Sequence, residues 1–151
     1  MQHSRFESPE ASIEYMKRVA VGRSGFSNWL QVEPIRVWRG ESELLLDLRP
    51  EMTQHHGFAH GAIVGLMADN ACAWAGASVL GDVVTGGYTI NFLRPAKGKR
   101  LRAISHVIKS GKRQAIARAD VYAEGDGDGD ASVHVATAQA TIIPTGIPGE
   151  T

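Results

Sequence analysis

Residues 60–69 read His-Gly-Ala-Ile-Val-Gly-Leu-Met-Ala-Asp, and how this stretch folds decides the rest of the chain. It opens a helix expected over about residues 61–80 that is apolar almost all the way round, through Ile63, Val64, Leu66, Met67, Ala71, Trp74 and Val79. A helix apolar on every side is buried in a protein or in a membrane. This one carries the ionisable Asp69, beside Asn70, in its middle. A carboxylate in an apolar interior is costly, so it is either fully hydrogen-bonded or kept for chemistry. The helix begins at Gly61, whose amide lies in the first turn, where backbone N–H groups lack intrahelical partners. A carboxylate plus a helix-start amide points to attack on a polarised carbonyl.

Asp69 and Asn70 also break the only stretch approaching the ~18 uninterrupted apolar residues of a membrane span. With 151 residues the chain is one domain, large enough for a real core. Sixteen basic residues balance sixteen acidic ones, so no global field draws a nucleic acid or an anionic membrane. The single Cys72 excludes an intramolecular disulfide, fits a reducing compartment, and reads as a packing residue rather than a nucleophile. No apolar signal region follows Met1. The expectation is a soluble cytoplasmic domain.

Working outward from the central helix, Ser8 and Pro9 start an amphipathic helix over about residues 9–21, with Ile13, Met16, Val19 and Ala20 at helical spacing. Residues 22–28 read as a loop. Strands are expected over 35–39 and 43–48 around a Gly40-Glu41-Ser42 turn, followed by a polar loop over 50–59 holding His55 and His56. Beyond the helix, strands are expected over 85–93, 101–109, 113–123 and 133–143. Ala115, Ala117, Ala119, Val121 and Ala123 alternate with polar residues, the period-two mark of antiparallel strands with one covered face. The order implies an α+β domain, a curved antiparallel sheet wrapped around one long central helix. The Gly/Pro-rich tail, 145–151, is expected to be flexible.

Two motifs add to this reading. The first is His60-Gly61-Ala62, preceded by Gln54 and Gly57 and followed by Met67-Ala68-Asp69; the second is Tyr88-Thr89-Ile90-Asn91-Phe92-Leu93-Arg94-Pro95-Ala96. In this order and spacing, over about residues 30–143, the chain resembles the hotdog-fold thioesterases of the phenylacetic-acid-degradation (PaaI-like) branch. It departs from them at Ala62, which replaces a second glycine, and at Gln54, where the family often has Asn. The resemblance implies an acyl-CoA thioesterase that yields a carboxylic acid and free coenzyme A without cofactor or metal. It implies that Asp69 activates water or attacks as a nucleophile, and that the Gly61 amide stabilises the oxyanion. Gln54, His60, Ala62 and Thr85 are the implied substrate-side residues. His60 can equally orient the loop or cap the helix, and Thr85 can equally be an ordinary strand residue.

Gly61 and Asp69 are eight residues apart, about 12 Å along one helix at ~1.5 Å per residue, too far to touch one carbonyl together. One of them must then come from a second copy, which implies a homodimer with interfacial sites; pairing of sheet edges leaves room for a tetramer. Arg94 and Lys97, with Lys99 and Arg100, are placed to meet coenzyme A phosphates, or form a solvated turn. His55, His56 and His60 lack zinc-site spacing. The acidic run 124–130 fails the calcium-loop pattern, since the sixth and twelfth positions from Asp126 are Ala131 and Thr137. A non-catalytic acyl-CoA sensor, a hydroxyacyl-thioester dehydratase using His60, and a carrier-protein thioester as substrate remain as alternatives.

Overall fold

Capping serines decide the N-terminal region. In the computed structural model, which describes residues 4–125 and 132–146, Ser8 Oγ accepts the Ala11 amide at 3.1 Å and starts α1, Pro9–Tyr15. Pro9 occupies the first helical position, where a missing N–H costs nothing. The chain continues as a π-helical turn over Met16–Val21 rather than as one uniform α-helix. The expected loop at 22–28 is partly helical instead: Ser24 Oγ accepts the Ser27 amide at 3.2 Å and starts α2, Gly25–Leu30.

The first hairpin joins β1, Glu33–Trp38, to β2, Glu41–Asp47. Its turn is Arg39-Gly40, with φ of 50° and 83°, not Gly40-Glu41-Ser42. Two positive φ angles match the twist of the flanking strands, which lets Glu41 and Ser42 pair with Trp38 and Val37. The chain then forms α3, Gly61–Leu80, followed by β3, Val83–Phe92, β4, Arg100–Ser110, β5, Ala115–Glu124, and β6, Val133–Pro144. All six strands pair antiparallel in the order β1-β2-β4-β5-β6-β3, which leaves β3 at an edge.

The sheet wraps α3, which packs on β2, β3, β4, β5 and β6. Small residues permit this closeness. Ala115, Ala117, Ala119, Val121 and Ala123 of β5 are buried, as are Ala68, Ala71, Cys72 and Ala75 of α3. At Gly76 a Cβ would come 2.7 Å from Ile142 Cγ2, so that crossing admits no side chain. Serines fix the register: Ser42 Oγ donates to the Ala71 carbonyl at 2.7 Å, and Ser78 Oγ accepts the Gly40 amide at 2.8 Å.

By length and composition α3 could cross a bilayer, and here more than half of it is buried inside the domain. It is not buried on every face. Ala62, Leu66, Asp69, Ala73, Ala77 and Leu80, at three- and four-residue steps, make one incompletely covered stripe. On β6 a bulge shifts the pairing between Val121↔Ala136 and Tyr122↔His134. Val135 and Ala136 both enter the core there, while His134 is only half-buried and hydrogen-bonds Asp120. Thr145 is held to Asp82 through the backbone, 3.0 Å, and through its hydroxyl, 2.6 Å. The rest of the tail, 147–151, and most of the acidic run, 126–130, with Ala131 after it, lie outside the described residues.

Candidate active site

The candidate residues collect at two places on α3. At its start His60 is the N-cap, with φ −61° and ψ 140°, and its Nδ1 accepts the Ala62 amide at 2.9 Å. The Ile63 and Val64 amides both donate to the His60 carbonyl. This leaves the Gly61 N–H, which donates to nothing among the described residues, at the positive end of the helix dipole. With Nδ1 accepting, a neutral His60 ring carries its proton on Nε2, a free donor at an exposed residue.

The loop before the helix is pinned. The His60 amide donates to the Met52 carbonyl at 2.8 Å, and the Ala59 amide to the Ala96 carbonyl at 3.0 Å. The second bond brings the Lys97 segment to the helix start, where Lys97 Nζ lies 5.8 Å from the Phe58 ring centre. Gln54 is occupied within its own loop. Its Oε1 accepts the His56 amide at 3.3 Å and its carbonyl the Gly57 amide at 2.9 Å, with Gly57 at φ 86°. Arg94 is held to the His134 carbonyl at 3.3 Å, and Arg100 pairs with Asp47 at 2.7 Å. The basic residues after β3 are therefore split among different partners.

In the middle of α3, Asp69 is half-buried, and its Oδ1 accepts the Thr85 hydroxyl at 2.6 Å. β3 runs antiparallel beside the helix, so three pairs face each other. Phe92 lies over Gly61, where a Cβ would be 3.4 Å from the ring; Tyr88 Oη lies 3.2 Å from a Cβ built at Gly65; Thr85 meets Asp69. Thr85 and Tyr88 are an odd number of residues apart, so a regular strand would send them to opposite faces. A register shift between Thr85 and Gly87 brings both to the helix side. Sequence reasoning passed over Tyr88 and Phe92 as site residues. Their signal was the four-residue spacing of Gly61 and Gly65, two bare positions on one helix face matched to an aromatic pair on one strand face.

Around the pair, the buried Asn70 Nδ2 has no acceptor among the described residues. Cys72, one turn further on, is wholly buried, and burial pushes its thiol up to about 11. It is therefore a neutral thiol near pH 7 and a packing group. Among the described residues no three His, Cys, Asp or Glu side chains converge to hold a metal ion. His55, His56 and Phe58 form an aromatic row, with ring centres 3.9 Å and 5.7 Å apart. In sum, the fold joins Asp69 to Thr85, and Gly61, His60 and Ala62 to the loop of Gln54 and Lys97. Within one chain it does not join these two groups, which sit eight residues apart on one straight helix, about 12 Å.

A family model described as the thioesterase superfamily matches residues 56–129. A thioesterase family protein from Silicibacter pomeroyi, of known structure, is 30% identical, covers 87% of this chain and 96% of its own, and superposes with a TM-score of 0.79. The PaaI protein of E. coli, from its phenylacetic acid degradation operon, is 21% identical over 94% of this chain and 98% of its own, with a TM-score of 0.78. That second likeness is one of fold. A Saccharolobus solfataricus protein named as an esterase is 29% identical over 97 residues, 63% of this chain. The match spans 65% of the length of that curated relative.

Proposed function

This chain belongs to the thioesterase superfamily, and from that premise we propose that it is a PaaI-like acyl-CoA thioesterase. The observation that carries the reading is the carboxylate of Asp69, half-buried in an otherwise apolar helix and oriented by the Thr85 hydroxyl at 2.6 Å. With Oδ1 engaged by Thr85, Oδ2 takes a proton from water as the water oxygen attacks the thioester carbonyl. The oxyanion that forms is met by the open Gly61 amide at the positive end of a helix. Collapse of this intermediate breaks the C–S bond; the thiolate leaves with the proton held by Asp69, giving a carboxylic acid and free thiol.

Because Gly61 and Asp69 are separated on one helix, the donor belongs to a second copy, and each site forms across a homodimer. Several features support that assembly. β3 is an unpaired edge, the α3 stripe beside Asp69 is open, and the buried Asn70 Nδ2 lacks an acceptor among the described residues. His60 fixes the helix start through Nδ1 and keeps Nε2–H to orient the substrate, while Ala62 keeps the approach clear of bulk. Lys97, beside the loop of Gln54, is placed for the phosphates of coenzyme A, with Arg94 as an outer contact. The enzyme is read as soluble and cytoplasmic, and a tetramer as a pair of such dimers.

The test is thiol release from a panel of acyl-CoA thioesters by the wild-type protein and by Asp69→Asn. Release that disappears in a folded, dimeric Asp69→Asn supports the assignment. Turnover near wild type in that variant contradicts it.

A further inference from the structure

A cavity of about 1030 Å³ lies between the N-terminal segment and the far half of α3. Pockets that enclose small molecules measure roughly 300–1,000 Å³, so this one has room for a substantial group. Phe6, Tyr15, Met16 and Val19 wall it on one side, Trp74 and Leu80 on the other. Phe6 and Tyr15 pack ring on ring, with centres 5.4 Å apart. The charged residues that also line it, among them Glu7, Glu14, Arg18 and Asp82, are exposed and so belong to its rim.

Two features join this cavity to the Asp69–Thr85 pair. Ala73 lines it and lies four residues after Asp69, on the same helix face. Val83 lines it and lies two residues before Thr85, on the same strand face. Each residue of the pair thus leads into the cavity by the period of its own element. Along that path Ala73 and Ala77 are small and line the cavity together with Trp74. The far end is closed by a tether. The Arg5 amide donates to the Ser78 carbonyl at 2.7 Å, and Arg5 Nη2 donates to the Leu80 carbonyl at 3.2 Å. A guanidinium at the negative end of α3 is favourably placed. It docks the N-terminal segment on the helix end and leaves the space beneath it unfilled.

We infer that this cavity holds the apolar acyl group of the substrate, and that the N-terminal segment sets how long an acyl chain is accepted. This rests on the thioesterase reading above. From Asp69 to Leu80 the helix rises about 16 Å at ~1.5 Å per residue, a depth suited to a medium-length chain. A polar acyl group would gain nothing from such walls.

Val19→Trp and Ala77→Leu reduce the cavity from its two opposite walls. The measurement is kcat/KM for decanoyl-CoA relative to propionyl-CoA, on protein verified to have the wild-type oligomeric state. A methylene in an apolar pocket changes kcat/KM by roughly 10-fold or more, so the ratio is expected to fall at least about 10-fold in both variants. An unchanged ratio in either folded variant overturns the inference. So does a wild-type enzyme that cleaves propionyl-CoA and leaves decanoyl-CoA intact, although the thioesterase reading then stands. If the wild type releases thiol from no member of the acyl-CoA panel, the thioesterase reading fails, and the cavity is judged alone by cis-parinaric acid fluorescence. Binding lost in both variants supports an acyl pocket, and no binding to wild type refutes it.

Discussion

The two ends of the segment from Gly61 to Asp69 solve opposite electrostatic problems. At Gly61 the backbone has too many donors. The His60 ring and carbonyl take up those of Ala62, Ile63 and Val64, and one N–H is left over. At Asp69 the problem is an acceptor in apolar surroundings, answered among the described residues by a short bond from Thr85 to one carboxylate oxygen. Each end is only partly satisfied, and what one lacks the other has. A straight helix keeps them about 12 Å apart, so the surplus donor and the surplus acceptor can serve one reacting carbonyl only across two chains. On the proposed reading the catalytic pair is divided between helix start and helix middle, and each half can be broken separately.

The largest effect is expected at Asp69. Asp69→Asn keeps the shape and a bond to Thr85 but loses the base, and kcat should fall about 10²- to 10⁴-fold. The next is Gly61→Pro, which removes the N–H and adds a ring whose Cβ lies 3.4 Å from the Phe92 ring, so Gly61→Ala, which adds the Cβ and keeps the N–H, is its control. Proline is accepted at a first helical position, and His60 already has the extended conformation that precedes proline, ψ 140°. A lost oxyanion donor costs about 10²- to 10³-fold in kcat, and circular dichroism should show the helix intact. A fall as small as that of Gly61→Ala would separate the helix start from catalysis. A smaller drop, about tenfold, is expected from Thr85→Ala, since a hydrogen bond to a charged group is worth roughly 1.5–3 kcal/mol and water can replace part of it. Thr85→Ser should recover most of it.

The smallest effect lies between the two ends and the far half of the helix, at Cys72. Cys72→Ala should leave turnover within about twofold, because the buried neutral thiol touches no reacting atom. It should instead show in stability at alkaline pH. Burial pushes the folded thiol up to about 11 from its ordinary 9.0. Below 9 both states are protonated and nothing is lost; between 9 and 11 only the unfolded chain ionises, so stability falls as pH rises. The wild type should lose more thermal stability across that window than Cys72→Ala, measured by melting at each pH.

Much of this was readable before any coordinates. The helix from Gly61 declares itself because nothing but a surrounding sheet can cover Ile63, Met67, Ala71 and Trp74 together, and Asp69 stands out as its one carboxylate. The alternating alanines of β5 mark the surface that the helix packs on. What escaped reading depended on single hydrogen bonds or on register. α2 is too short for a periodic pattern and rests on the Ser24 cap. The first hairpin turns at Arg39, an unusual residue for positive φ, rather than after Gly40. Thr85 and Tyr88 share the helix side because β3 shifts register between Thr85 and Gly87. Gln54 lies in the loop before the helix, and that its side-chain oxygen accepts the His56 amide was not legible. The cavity under the N-terminal segment depends on Arg5 reaching the Ser78 and Leu80 carbonyls, a contact across more than seventy residues that no local pattern announces.

The most direct test of a site divided between two chains is complementation. Gly61→Pro and Asp69→Asn, each nearly inactive, are co-expressed and purified as a random mixture of dimers. If each site takes its amide from one chain and its carboxylate from the other, a mixed dimer holds one intact site. Random pairing makes half the dimers mixed, so the preparation should show about a quarter of wild-type turnover. Activity no greater than the sum of the two parent variants would contradict the division and put donor and base in the same chain.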